Sequence, residues 1–390
     1  MTFGCCLKKL RCDRIPAVIA SATESLGYWI ALSQAPGLGA ARFRLLESHF
    51  GGNLELAWNA PQRELRAAGL GGKVAKAVLE VREKVSPERE LDRLAKSGVQ
   101  ALTWHDERYP GRLKETVDAP PVLYCRGDLC ADDEASIAVV GTRRPTDYGR
   151  RITSELCAAL ATRGVTVVSG LALGIDTRAH QATLDAGGRT VAVLGNGLDS
   201  VYPSENRRLA ERIVADGGAL VSEFALGARP EASNFPRRNR IISGMALGTL
   251  ITEAGETSGT RWTVFHALEQ NREIFCVPGS VYSESSRLTN RLIKEGAKLV
   301  CDVRDILEEI GLDGEPKQMP LGLAQPPERK PQPVDPEEAD LLRHVTTEPT
   351  HIDDLAQMNG CPIAEVSSLL TMLELKGLVQ QVGTMHYQLV

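Results

Sequence analysis

The sequence is poor in the features that mark whole classes of protein. Aromatic residues make up only 5% of it, too few for a long platform on which successive bases stack. Positive charge is not in excess: 45 Lys and Arg face 50 Asp and Glu, for a formal net charge of -5. A polyanion could therefore be met only locally, by clustered arginines in an acidic background. The nine cysteines, at 5, 6, 12, 125, 130, 157, 276, 301 and 361, are odd in number and contain no CxxC pair. That pattern lacks the ligand set of structural zinc, and it reads as reduced thiols in a cytoplasmic setting. No apolar run approaches the ~20 residues of a membrane span, so no membrane contact is expected. The run at 15–20, behind Lys8, Lys9, Arg11 and Arg14, is short of a secretory core of about 7–15 residues. Residues 1–25 are expected to be a disordered extension.

The motifs of nucleotide chemistry are missing too. After the first strand expected in the core, a single glycine is followed by Thr-Arg-Arg-Pro (142–145), and no GxGxxG dinucleotide fingerprint appears. The P-loop pattern GxxxxGK[ST] is absent as well. Seven histidines offer no specific Ser–His–Asp or Cys–His arrangement. The expectation is a protein without catalytic residues, cofactor or metal.

What the sequence does hold is organisation. A chain of 390 residues exceeds one ordinary core, which implies two or three domains. Residues 26–85 read as a small all-helical domain, of a SAM or helix-hairpin-helix type. Two glycine turns there, at 36–39 and 69–71, each precede a helix. Such turns can aim backbone N–H groups at a phosphate, but their flanks are not especially basic, and close helix packing is the favoured reading. Residues 86–311 form an α/β core. Short apolar runs recur at 137–140, 165–169, 190–194, 219–221, 249–252 and 274–277, and helical patterns lie between most of them, at 150–163, 178–186, 206–216 and 260–270. This alternation predicts a Rossmann-like, doubly wound parallel sheet covered on both faces. The run PVLYC at 121–125 reads as one more strand of it. Seven prolines between 316 and 336 predict an extended linker over 312–336. Residues 337–390 follow the order helix, helix, helix, β-ribbon, a winged-helix-like arrangement in which Thr350 caps a helix over 352–358 and Gly383 turns the ribbon.

In an open parallel sheet the ligand site lies at the carboxyl ends of the strands. The segments there are glycine-rich, polar or basic: Gly141, Thr142 and Arg143 after the first core strand, Gly170 after the second, Gly195 after the third, and Phe235, Arg237, Arg238, Asn239 and Arg240 after the fourth. Glycines let the backbone approach a ligand, and arginines grip phosphate in bidentate fashion. Glycines after strands can equally serve only to turn the chain. Three arginines in four positions do not suit a merely solvated face, and they are expected to form one exposed anion site with Arg143. His180, at a helix start, reads as a packing histidine.

These motifs resemble the DprA (Smf) family of DNA-processing proteins. The resemblance is carried in order by VGTRRPTDYG (140–149), SGLALGIDTRAH (169–180), AVLGNGLDSVYP (192–203), SEF (222–224), FPRRNRIISG (235–244), TEAGETSGT (252–260) and the Val277-Pro278-Gly279 turn. It implies a core that binds single-stranded DNA, commonly as a homodimer, and delivers it to the RecA recombinase during natural transformation. It carries the DNA contacts to Gly141, Thr142, Arg143, Gly170, Phe235, Arg237, Arg238, Asn239 and Arg240. A rival reading is an enzyme, because Glu253-Ala-Gly with Ser258-Gly259-Thr260 is loosely similar to the PGGxGTxxE loop of nucleotide phosphoribohydrolases. Here the order is inverted and the tandem glycines are missing. A second rival is a scaffold whose rim binds a small regulatory nucleotide.

Overall fold

A computed structural model describes residues 17–312, 335–346, 349–376, 378–382 and 385–389. The chain divides into two compact units, one up to residue 314 and one from 315 onward. The expected linker lies mostly outside the described residues, as do residues 1–16 and the turn at Gly383. Residues 17–25, expected to be disordered, lie within the first helix, α1 (Ala17–Ser33).

The first unit opens with α1, α2 (Ala40–His49), α3 (Leu54–Asn59), α4 (Gln62–Ala67), α5 (Gly72–Arg82) and α6 (Pro87–Ser97). Sequence chemistry sets their ends. Asn53 caps α3 by accepting from the N–H groups of Glu55 and Leu56, and α6 starts with Ser86 as cap and Pro87 inside it. Gly98 closes α6 in the left-handed region, at φ 61°. Both glycine turns do precede helices, α2 and α5. These helices do not stand apart from the sheet. Trp29, Phe43, Leu46 and Leu54 share one core with Trp104, Val122, Tyr124, Ala192 and Leu220, and the Phe43 ring lies 5.8 Å from Trp104 and edge-on to it.

The sheet has nine strands: β1 (Gln100–Thr103), β2 (Val122–Gly127), β3 (Ser136–Val140), β4 (Thr166–Ser169), β5 (Thr190–Val193), β6 (Ala219–Ser222), β7 (Gly248–Ile251), β8 (Glu273–Cys276) and β9 (Lys298–Leu299). Their spatial order is β1-β2-β6-β5-β4-β3-β7-β8-β9. From β6 to β9 every pairing is parallel, and the central strands are buried on both faces, as their continuous Val/Ile/Leu runs require. The segment at 121–125 does extend the sheet, but β2 runs antiparallel to β6, and β1 runs antiparallel to β2. One face carries α8 (Asp147–Thr162), α9 (Ile175–Asp185) and α10 (Arg207–Ala215). The other carries α7 (Gly111–Lys114), α11 (Asn234–Met245), α12 (Thr260–Glu269) and α13 (Arg287–Lys294). The chain winds outward from β3 to β6 and then returns across it to β7. The order thus reverses at β3 and β7, and the crevice above them is where such a sheet binds ligands. After β9, α14 (Val303–Glu309) starts at a capping box formed by Asp302 and Asp305.

The second unit holds α15 (Pro336–Leu342), α16 (Ile352–Asn359) and α17 (Ile363–Leu375), with a small antiparallel sheet of β10 (Thr350–His351), β12 (His386–Leu389) and β11 (Val379–Gln381). It closes on its own core of Leu341, Ile352, Leu355, Val366, Leu370 and Tyr387. The fold is a winged helix. Asp335 and Pro336, assigned from sequence to the linker, instead cap and open α15. Thr350 is not the cap of α16, because it is bound in β10 opposite Tyr387. The neighbouring His351 caps the helix by accepting from the Asp353 N–H.

A core shared between helices and sheet has a measurable consequence. Phe43→Ala is expected to lower stability by about 3–5 kcal/mol and to bring sheet and helices to a lower common melting temperature. Calorimetry that resolves a separate helical transition, with the sheet transition unmoved, would contradict a single core.

Candidate nucleic-acid interface

Three strand ends are sewn together at the crevice. Glu253, two residues past β7 and 2% exposed, accepts from the Thr146 N–H (2.8 Å) and Thr146 hydroxyl (2.9 Å) through its carboxylate, while its carbonyl accepts from the Thr142 N–H (2.7 Å). Thr146 in turn caps α8 by accepting from the Gly149 N–H. The loop after β3 is therefore held by the end of β7. On its other side the Ile175 N–H donates to the Thr142 carbonyl, which ties it to the loop after β4. Gly174 makes that contact possible: its φ is +88°, and a Cβ there would meet the Thr142 carbonyl oxygen at 2.4 Å. A Cβ on Gly141 would strike Ile175 at 2.6 Å.

Above these loops lies a cleft of about 950 Å³. Gly141, Thr142, Arg143, Phe235, Arg238 and Asn239 come together along it, with Tyr202, Trp262 and the segment 255–260. Arg143 is exposed and stands over the Phe235 ring, its guanidinium carbon 5.8 Å from the centroid. Tyr202, 46% exposed, lies against the same ring at 5.6 Å. Tyr202 and Trp262 were missed in the sequence. Tyr202 stands at the end of the glycine run after β5, and Trp262 stands just past the Ser-Gly-Thr that follows β7. Both are aromatic residues in strand-end segments, and that was the available signal.

The three arginines of 237–240 do not share one rim. Their segment is helical, within α11, and about 100° of rotation per residue sends neighbouring side chains in different directions. Arg238 is 5% exposed and donates to the carbonyls of Gly170 (2.5 Å) and Val193 at the ends of β4 and β5. Gly170 serves this contact, for a Cβ there would meet the guanidinium at 2.6 Å. Arg240, with a side chain 12% exposed, is bound to Glu223 (2.8 Å) and Asp118 (3.2 Å). Arg237 is exposed, 5.3 Å from the Phe224 ring and 3.4 Å from Glu223. Arg237 and Arg240 line a second hollow of about 730 Å³, beside the turn at 36–39.

Burial sets the electrostatics. Asp176 lies under the cleft and accepts from the Ala172 N–H at 3.3 Å. Burial pushes its carboxyl up to about 6, against the opposing pull of Arg238. Burial likewise brings the Arg238 guanidinium down to about 10. His180 is buried, with Nδ1 at 2.7 Å from the Thr190 hydroxyl, and burial lowers it to about 3. It is a neutral packing histidine behind the site. Arg143 lines the cleft as a cation without an ion pair among the described residues.

The expectation that Arg238 would belong to one exposed anion site therefore reverses, for its side chain is buried. Arg238→Met leaves two buried carbonyls and Asp176 without their partner. It should lower stability by about 3–5 kcal/mol, the range for breaking a buried charge pair. Arg143→Ala should stay within about 0.5 kcal/mol of the parent. Urea midpoints for the two variants check both, and equal midpoints would refute the buried role.

Comparison with known proteins agrees with this architecture. The profile of DNA recombination-mediator protein A matches residues 100–311, and that of the DprA winged helix domain matches residues 325–383. Protein Smf of Synechocystis is 36% identical over 94% of this chain and 99% of its own length. Protein Smf of Escherichia coli is 44% identical over 71% and 74%. The X-ray structure of DNA processing protein A from Streptococcus pneumoniae superposes with a TM-score of 0.64 at 33% identity, covering 73% of this chain and 97% of that one. The ordered motifs, the doubly wound sheet with its sewn crevice, and the winged helix place the chain in the DNA recombination-mediator protein A (DprA/Smf) family.

Proposed function

We propose that the chain binds single-stranded DNA in the cleft above β3 and β7 and delivers it to a RecA recombinase during transformation, acting as a cytoplasmic homodimer. One observation carries the reading: an exposed Arg143, unmatched by any ion pair among the described residues, stands over Phe235 at a backbone-lined cleft. Gly141 and Thr142 line the cleft beside it, with Asn239 on the wall formed by α11. A phosphate would meet the guanidinium, and a base would meet the Phe235 and Tyr202 rings. Arg237 lies nearby in sequence on the second hollow, where it can extend the cationic track. Gly170 and Arg238 hold the strand ends at the cleft, and Arg240 is engaged by Glu223 and Asp118 at the second hollow.

The two buried carboxylates argue against chemistry. Glu253 is saturated by Thr146, and Asp176 is engaged by a backbone N–H and Arg238. Neither is free as a general acid or base, which favours a binding protein over a phosphoribohydrolase-like enzyme. The winged helix reads as a protein-contact module. Its α17 carries Glu365 and Glu374, and Lys376 just past it is already paired with Glu338 at 2.5 Å. That helix is a poor phosphate reader.

Binding isotherms for single- and double-stranded oligonucleotides at two salt concentrations test the reading. Single strands should bind more tightly, and Arg143→Ala should flatten the logarithmic salt dependence by about 0.7, one phosphate contact on a single strand. Equal affinity for duplex, or release of free base from nucleoside monophosphates, would sink it. A protein ending at Gly314 should bind single strands within about tenfold of the full chain, roughly 1.4 kcal/mol. A greater loss would place DNA contacts in the winged helix.

A further inference from the structure

The protein contains four tryptophans. Trp29, Trp58 and Trp104 are buried in the core of the first unit, whereas Trp262 is 53% exposed and lines the cleft. It stands in the first turn of α12, 6.5 Å from the Phe265 ring and nearly perpendicular to it. An indole left half in water gives up much of the free energy of burial. At the mouth of a cleft it offers a flat apolar face to whatever enters.

The charges of the cleft decide which part of a strand that is. Of the cations near Trp262, Arg291 lies 3.4 Å from Glu256 and Arg287 lies 3.7 Å from Glu284, while the exposed Arg261 donates to the Glu256 carbonyl at 3.4 Å. The remaining groups there, such as Thr257 and Ser258, are hydroxyls. Arg143 lines the same cleft, exposed and without an ion pair among the described residues. A flexible polyanion lowers its energy by placing a phosphate at Arg143, which leaves its bases free to meet the aromatic rings that line the cleft.

We propose that Trp262 is a base-stacking residue: an unpaired nucleobase of the strand whose phosphate meets Arg143 lies on its indole. This rests on the single-strand reading above and adds to it a further aromatic surface, on α12, in addition to the Phe235 and Tyr202 rings. Stacking accepts any base, because every base has a π-face. A duplex cannot supply one, since each base inside it is already covered above and below. Trp262 therefore favours single strands without reading their sequence.

All four indoles emit, but the other three are buried and none of them lines the cleft, so a change of emission on binding there reports on Trp262. Titrating the full-length protein with oligo-dT should quench that emission along the same isotherm as the anisotropy of a labelled strand. Trp262→Phe should keep most of the affinity and lose the signal. Trp262→Ala should bind roughly tenfold more weakly, with an unchanged salt slope, because no phosphate contact is removed. Its urea midpoint should match the parent's. If the strand binds but leaves the emission unmoved, and Trp262→Ala binds as tightly as the parent, the inference is overturned, and the exposed face of Trp262, Phe265 and Leu268 belongs to a protein partner. A protein that binds no strand at all would sink the single-strand reading, and this inference with it, which is a distinct result.

Discussion

The site depends on one buried guanidinium. A parallel sheet ends in carbonyl groups whose next partners must come from outside the ladder. Arg238 reaches in from α11 and takes two of them, from Gly170 and Val193, at the ends of adjacent strands. Its planar fork suits two acceptors at once, where a lysine would bring a single point of charge. The cost of burying the cation is offset in part by the charge of Asp176, and the space for it exists because Gly170 has no side chain. This arrangement fixes the floor on which any ligand of the cleft must rest.

Glu253 is its counterpart of opposite sign. It closes the loop after β3 against the end of β7, at the point where the strand order reverses. Between them the two buried charges hold three strand-end loops in place before a ligand arrives. A preorganised site spends little binding energy on ordering its own loops. They also separate two states that the sequence runs together, for the buried charges hold the scaffold while Arg143 is left exposed at the cleft.

Much of this was legible in the residues. The six apolar runs of the core became β3 to β8, because continuous Val/Ile/Leu segments of strand length fit a sheet covered on both faces. The position of the cleft followed from topology alone. The antiparallel β1 was not legible, since four residues at a sheet edge carry almost no period. The start of α1 leaves little trace in the sequence, for its first turn carries no acidic residue. Thr350 was misplaced as a cap because His351, one position on, does the same work, and caps are resolved only to a residue or two.

The sequence by itself determined the α/β class, the winding, the winged helix and several of the strand-end segments that line the cleft. These follow from periodicity, glycine placement and strand-end chemistry, all of which are local or repeat along the chain. The roles of the three arginines at 237, 238 and 240 were decided only by tertiary structure. In the sequence they are a single basic cluster. In the fold, helical rotation aims one at solvent, one into the sheet and one at a pair of carboxylates, each partner coming from a distant segment. Whether a charge is free or already engaged depends on what packs against it, and that is a property of the folded chain.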